Sequence, residues 1–193
     1  MHWALIELNL PYRTVPLQTR TVGMEDLNFL SMNPRKKIPV LQHGDLVLTE
    51  SAAIVTYLAE RYSTADRRLI PEGLEQRARY LEWMSFVCME LDATSLYVLR
   101  RHEGLPEVYG EAPEACEVAR EYFQRMINAA AMRLNNGPYL LGETFSGVDI
   151  MMVSVLNWAV RYGQPLPAPF ERYRAAMLDR STYKDAIKAN TPR

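Results

Sequence analysis

Residues 33–41 read Asn-Pro-Arg-Lys-Lys-Ile-Pro-Val-Leu, and a second apolar stretch, residues 46–54, reads Leu-Val-Leu-Thr-Glu-Ser-Ala-Ala-Ile. The first stretch changes from polar to apolar at Pro39. Proline has no backbone N–H and cannot donate in a central ladder, so Pro39 predicts a strand start, a sheet edge or a special turn. The second stretch begins as a strand and continues in residues that favour a helix.

These two stretches predict a hairpin followed by a helix. His43-Gly44-Asp45 is typical of a tight reversal between strands at 40–42 and 46–48. Threonine and serine are good helix caps, so Thr49-Glu50-Ser51 predicts a helix over residues 51–62. The hairpin then brings Ile38-Pro39 and Glu50-Ser51 to the same end of a small sheet. The N–H groups at a helix start suit a carboxylate ligand.

The combined pattern resembles the glutathione transferase family, in particular its theta-like and beta-like bacterial members. The matching features are Asn-Pro-x-x-Lys-Ile-Pro-x-Leu over residues 33–41, the Glu50-Ser51 pair, and Ala-Ile-x-x-Tyr-Leu over residues 53–58. The resemblance implies a thioredoxin-like α/β domain over residues 1–66 and an all-helical domain over residues 74–193. It also implies glutathione as co-substrate, with no metal.

The resemblance also assigns the glutathione-binding residues. In the family the proline is cis, and the residue before it, here Ile38, pairs through its backbone with the cysteinyl part of glutathione. Glu50 and Ser51 match the pair that holds the γ-glutamyl end. Lys37 matches a lysine that meets the glycyl carboxylate. The implied binding set is therefore Lys37, Ile38, Pro39, Glu50 and Ser51.

Composition excludes several other classes of protein. The net charge of −1 and the lack of a basic run argue against nucleic acid, and no apolar run is long enough to predict a membrane span. Two cysteines form neither a metal motif nor a disulfide framework, which favours a reducing compartment, and we expect a cytoplasmic protein. Three histidines without close acidic or cysteine partners predict no metal site.

The N-terminal segment lacks the group that activates the thiol in this family. Residues 2–9 predict a helix that matches the middle and end of the family's first helix, and residues 12–15 predict a short strand. By this comparison the first strand, its loop and the activating Ser, Tyr or Cys are missing. No catalytic residue is identifiable, and we expect impaired transferase activity in this form.

Three other side chains are weaker candidates for chemistry. His2 would reach the site only in a rearranged structure. Cys88 lies on the apolar stripe of a helix and is interpreted as a core residue. Cys116 lies near a helix start, where a thiol pKa can be lowered, although it belongs to the other domain.

The second half of the chain predicts helices throughout. Apolar residues at helical spacing predict helices over residues 74–103 and 112–135, and shorter ones near 170–178 and 183–189. Ser146 and Asp149 form a capping box for a helix that runs to about residue 162, with Phe145 and Ile150 as its staple. We interpret Asp149 as a folding residue. Tyr97 and Trp158 are candidate walls of an electrophile pocket.

The sequence thus predicts a glutathione transferase-like protein of detoxification type, which conjugates or reduces small electrophiles as a homodimer. Two alternatives stay open: a non-catalytic binding or interaction protein that keeps the scaffold, and a thiol–disulfide oxidoreductase of the same fold.

Overall fold

A computed structural model describes residues 1–17, 26–134 and 137–191 of the chain. It divides into two compact units, one formed by Met1–Leu69 with Ser181–Arg193 and the other by Ile70–Arg180. The first unit contains α1 (His2–Glu7), α2 (Leu27–Met32), β1 (Val40–His43), β2 (Leu46–Thr49), α3 (Ser51–Tyr62) and α10 (Ser181–Asn190).

The hairpin and the helix after it form as predicted. Strands β1 and β2 are antiparallel, with Val40 opposite Thr49 and His43 opposite Leu46. Helix α3 then begins at Ser51, and it buries Ile54, Val55, Leu58 and Ala59. The spacing of these four residues places them on one face, which explains the amphipathic pattern.

Helix α1 is confirmed, but the strand predicted at residues 12–15 is wrong. Residues 11–17 have no regular structure, and the side chains of residues 12–15 are exposed. An extended segment becomes a strand only when a neighbour pairs with its backbone, and β1 and β2 pair with each other. Helix α2 begins after Asp26, whose carboxylate accepts a hydrogen bond from the Phe29 N–H at 2.9 Å.

The C-terminal helix α10 packs on α1 in the first unit. The Glu7 carboxylate joins them, since it accepts hydrogen bonds from Trp3 Nε1 at 2.9 Å and from Thr182 Oγ1 at 2.5 Å. The rings of Trp3 and Tyr183 meet edge to face, with centroids 5.1 Å apart. Helix α10 is therefore packed as part of the first unit, where it buries Ala186.

In the described part of the second unit the regular elements are helices, joined by loops that include an isolated bridge between Tyr139 and Gly142. It contains α4 (Leu74–Phe86), a π-helical segment (Val87–Leu96), α5 (Tyr97–His102), α6 (Pro106–Tyr109), α7 (Pro113–Ala131), α8 (Gly147–Arg161) and α9 (Ala168–Asp179). The prediction of one long helix over residues 74–103 is correct in extent. The sequence did not indicate that the middle of this helix, Val87–Leu96, has the wider turns of a π-helix. In this segment the Ser95 hydroxyl donates to the Leu91 carbonyl at 2.6 Å.

The capping box of α8 is confirmed and extends into a buried network. Asp149 Oδ2 accepts from the Ser146 N–H at 2.8 Å and from the Ser146 hydroxyl at 2.9 Å. Oδ1 accepts from the Leu140 N–H at 2.9 Å and from the Tyr173 hydroxyl at 2.8 Å. Burial raises the pKa of Asp149, and these four donors oppose that shift. Each carboxylate oxygen of Asp149 therefore accepts two hydrogen bonds from groups that hold the fold together.

Candidate functional site

The strand register brings the predicted binding residues together. Because Val40 pairs with Thr49 at the open end of the hairpin, Pro39 and Ile38 leave β1 beside Glu50 and Ser51, which leave β2. All four residues therefore lie at one end of the two-stranded sheet. The Ile38–Pro39 peptide bond is cis, as predicted.

The start of helix α3 presents backbone donors at this end of the sheet. Glu50 is the N-cap residue, has a φ of 69°, and makes no side-chain capping bond. Its carbonyl accepts the first helical bond, from the Ile54 N–H at 3.0 Å. The N–H groups of the first turn have no partner inside a helix, and the helix dipole is positive there. An anion such as a carboxylate is stabilised at this position.

The loop before Pro39 is shaped by a buried asparagine. Asn33 is 2% exposed; its amide Nδ2 donates to the Lys37 carbonyl at 2.6 Å, and its Oδ1 accepts from the Arg35 N–H at 3.2 Å. These bonds hold the loop while Lys36 has a φ of 54°. Within the described residues, the backbone N–H and C=O groups of Ile38 make no hydrogen bond, and Ile38 is 48% exposed. Its backbone is therefore available to pair with an extended ligand.

Arg35 also belongs to this site, although the sequence alone did not predict a role for it. Its guanidinium donates to Glu50 Oε1 at 2.7 Å and to the Thr49 hydroxyl at 2.6 Å. The Arg35 and Glu50 side chains are 52% and 64% exposed, so the ion pair is screened by solvent. Its effect is to orient the Glu50 carboxylate. The opposite charges at 35 and 50 were visible in the sequence, but only the hairpin brings them together.

The weaker candidates gain no support as activators of a thiol. Burial and the neighbouring N-terminus lower the pKa of His2, whose Nδ1 lies 3.0 Å from the Tyr12 hydroxyl. The hypothesis of a lowered pKa for Cys116 is wrong: burial raises the pKa of this thiol, and Glu103 adds to the effect. Cys88 is half-buried in the π-helical segment.

Tyr97 and Trp158, the candidate pocket walls, both lie in the second unit and both contact Arg100. The Arg100 guanidinium carbon is 4.7 Å from the Tyr97 ring centroid and 4.9 Å from that of Trp158. Both rings are therefore in contact with a cation. Whether they border an electrophile stays a prediction.

Metal-binding clusters and membrane-spanning helices are both absent from the described part of the chain. Residues 1–17, 26–134 and 137–191 contain no group of three or more His, Cys, Asp or Glu side chains placed to hold a metal ion. Across the same ranges, every helix is too short or too polar to cross a membrane.

The chain belongs to the glutathione S-transferase family. The model of the family's N-terminal domain matches residues 1–60, and the model of its C-terminal domain matches residues 44–178. The observed architecture, a hairpin and helices of the thioredoxin-like type followed by a helical unit, is the fold of that family.

Individual relatives agree with this assignment. Glutathione S-transferase theta-1 of Bos taurus is 29% identical over 157 residues, which are 77% of this chain and 65% of that protein. The structure of BphK, a bacterial transferase in a ternary complex, has a TM-score of 0.85 and 25% identity, and covers 98% of this chain and 92% of its own.

A third relative was solved with ligands. Maleylacetoacetate isomerase from Methylobacterium extorquens AM1, with bound malonate and glutathione, has a TM-score of 0.77 and 27% identity, over 99% of this chain and 91% of its own. The chain spans about half to two thirds of the length of the first curated relatives it matches.

Proposed function

We propose that this protein binds glutathione at the end of the β1–β2 hairpin and transfers it to small electrophiles. The observation that carries the proposal is the strand register, which sets the Ile38 backbone beside Glu50 and the uncapped start of α3. A γ-glutamyl group carries an ammonium and a carboxylate on one carbon. An acidic side chain next to a helix N-terminus is complementary to that pair of charges.

Each part of the tripeptide has a proposed contact. Glu50 binds the γ-glutamyl ammonium, while the Ser51 hydroxyl and the N–H groups of α3 bind its α-carboxylate. Ile38, positioned by Pro39, pairs with the cysteinyl backbone, and Lys37 binds the glycyl carboxylate. The isomerase relative solved with glutathione supports the choice of ligand. We keep residues 1–66 as the proposed glutathione-binding domain and residues 74–193 as the proposed helical domain, whose last helix, α10, packs in the first compact unit.

The proposed reaction is the ordinary one of a thiol nucleophile. The cysteinyl thiol loses its proton to solvent or a base, its sulfur forms a bond to an electrophilic carbon, and a leaving group such as halide departs with the bonding electrons. We assign no residue of this chain to the step that stabilises the thiolate. A homodimer that works on cytoplasmic electrophiles, as in detoxification, is the proposed setting.

Calorimetry with two isomeric tripeptides tests the binding site. Glutathione should bind at least about tenfold more tightly than the isomer joined through the α-carboxyl of glutamate, because the isomer separates the ammonium from the free carboxylate. Glu50→Gln should remove most of that preference. Equal affinities for the two peptides in the unchanged protein would refute the site.

A conjugation assay then separates the proposed function from its alternative. Turnover of a chlorodinitrobenzene with glutathione supports a transferase. Selective binding of glutathione without turnover supports a non-catalytic binding protein on the same scaffold. The two results rest on the same site and differ only in the fate of the thiol.

A further inference from the structure

The second unit contains a pair of arginines whose side chains are held by aromatic rings. The Arg101 guanidinium carbon lies 4.6 Å from the Tyr97 ring centroid and 5.1 Å from that of Tyr109. Arg100 is held in the same way by Tyr97 and Trp158, at 4.7 and 4.9 Å. We call these five residues the arginine cluster. Contact with an aromatic face holds a guanidinium in place without using its N–H groups.

The side-chain N–H groups of both arginines have no hydrogen-bond acceptor in the described part of the chain. Among the described residues, neither Arg100 nor Arg101 donates a side-chain hydrogen bond, and Arg101 Nε is a buried atom without a partner. Most buried polar atoms in folded proteins do have a partner, so such an exception points to a role. The Arg100 side chain is only 22% exposed, which limits the competition from water. The cluster is therefore a set of prearranged donors for an acceptor that comes from outside the chain.

One carboxylate of the protein adjoins the cluster. Asp92 Oδ1 is 3.8 Å from an Arg100 nitrogen, too far for a hydrogen bond, and this buried oxygen also lacks a hydrogen-bond donor among the described residues. Burial raises the pKa of Asp92, and Arg100 opposes the shift. A third arginine, Arg161, lies with its guanidinium carbon 5.5 Å from the Trp158 ring centroid. Three arginines and one carboxylate therefore lie in this region, so positive charge exceeds negative charge.

The π-helical segment explains why Asp92 and Arg100 are neighbours. They are eight residues apart, and in a regular α-helix that spacing would set them about 80° apart around the axis. The wider turns over Val87–Leu96 reduce this angle and bring the two side chains to one face. Irregular turns of this kind are frequent at functional sites.

We propose that the arginine cluster is a binding site for a small organic carboxylate, with the N–H edges of Arg100 and Arg101 as the donors. A guanidinium matches a carboxylate in shape and can bind it through two parallel hydrogen bonds. Arg100 and Arg101 together with Asp92 carry one net positive charge, which a single carboxylate balances and a doubly charged phosphate exceeds. This inference does not depend on the glutathione site, which lies in the other unit.

Calorimetry on the full chain with benzoate, benzamide and inorganic phosphate tests the proposal. Benzoate should bind at least about tenfold more tightly than benzamide, its neutral analogue, and more tightly than phosphate. This comparison needs no variant and so cannot fail through misfolding. Benzoate that binds no better than benzamide, or less well than phosphate, would overturn the proposal.

Variants locate the binding. Arg101→Gln and Arg100→Gln should each weaken benzoate binding about tenfold, and Arg101→Lys should recover only part of the loss, because lysine lacks the planar fork. Arg125→Gln is the matched control: Arg125 lies on α7 with its guanidinium carbon 4.9 Å from the Tyr122 ring centroid, so it has the same charge and the same kind of contact. An equal loss in Arg125→Gln would show a general charge effect and no site.

Discussion

At the scale of single residues, Ser51 is the side chain whose role is easiest to test. It is the first residue of α3, directly after an N-cap that provides no side-chain capping bond. Ser51→Ala should weaken glutathione binding by about 1.5–3 kcal/mol, which is tenfold or more, because a hydrogen bond to a charged carboxylate is lost. Calorimetry measures the change.

Ser31→Ala is the control for that substitution. Ser31 is an exposed serine of the same unit, and its hydroxyl donates to the Asn28 carbonyl at 2.8 Å. We expect its glutathione affinity to equal that of the unchanged protein. A Ser51→Ala protein with full affinity would place the γ-glutamyl site elsewhere.

Cys116 provides a test of a pKa. A free cysteine has a pKa of about 8.5. Because burial and Glu103 raise the pKa of the Cys116 thiol, its reactive thiolate should form only at a higher pH than in a free cysteine. In a Cys88→Ser protein, the reaction of Cys116 with a disulfide reagent should therefore be slow at neutral pH. It should accelerate only at a pH well above the pKa of a free cysteine. The same protein in denaturant is the control, and it should react quickly at neutral pH. A fast native reaction at pH 7 would contradict the assigned burial.

At the scale of elements, the start of α8 depends on one buried carboxylate. Asp149→Ala would leave the Leu140 and Ser146 N–H groups and the Tyr173 hydroxyl without their acceptor. Stranded buried donors are costly, so we expect a loss of about 3 kcal/mol in the free energy of unfolding of the second unit. Urea denaturation followed by circular dichroism measures it.

The control for Asp149 is an exposed acid on another helix. Asp185 pairs with Lys188, at 3.0 Å, and its side chain is 55% exposed. Asp185→Ala should change stability by less than about 0.5 kcal/mol. Similar losses in the two variants would argue against the capping network as the cause.

At the scale of the whole molecule, exposed leucines support the proposed dimer. Leu74 and Leu81 are 85% and 53% exposed, and seven residues apart on α4 they lie on one helix face. Exposed leucines that share a helix face are candidates for burial between two copies of the chain. Sedimentation should give a mass near twice the 22.2 kDa of the chain, and Leu81→Glu should shift it toward the single value.

Met132→Glu is the matched substitution for the dimer test. Met132 is 88% exposed in the same unit, at the end of α7. It should leave the mass unchanged. Dissociation by both substitutions would point to a nonspecific effect of charge, and a single-chain mass in the unchanged protein would reject the dimer.

Local sequence determined much of the fold. The His43-Gly44-Asp45 turn, the start of α3 at Ser51 and the capping box at Ser146 each depend on residues within a few positions of one another. Turn and cap chemistry act over that distance, so these features could be predicted from the sequence. The cis bond before Pro39 was predicted from the family resemblance and is present.

Tertiary structure alone decided the contacts between distant residues. Arg35 meets Glu50 only because the hairpin folds back, and α10 joins the first unit through Glu7 and Thr182. The extended segment at 12–15 has strand-like residues but no strand, because a strand requires a partner that its own sequence does not contain. The arginine cluster likewise needs the packing of α8 near α5 to bring Trp158 to Arg100. The spacing of residues along the chain does not specify these long-range contacts, because they depend on how the whole unit packs.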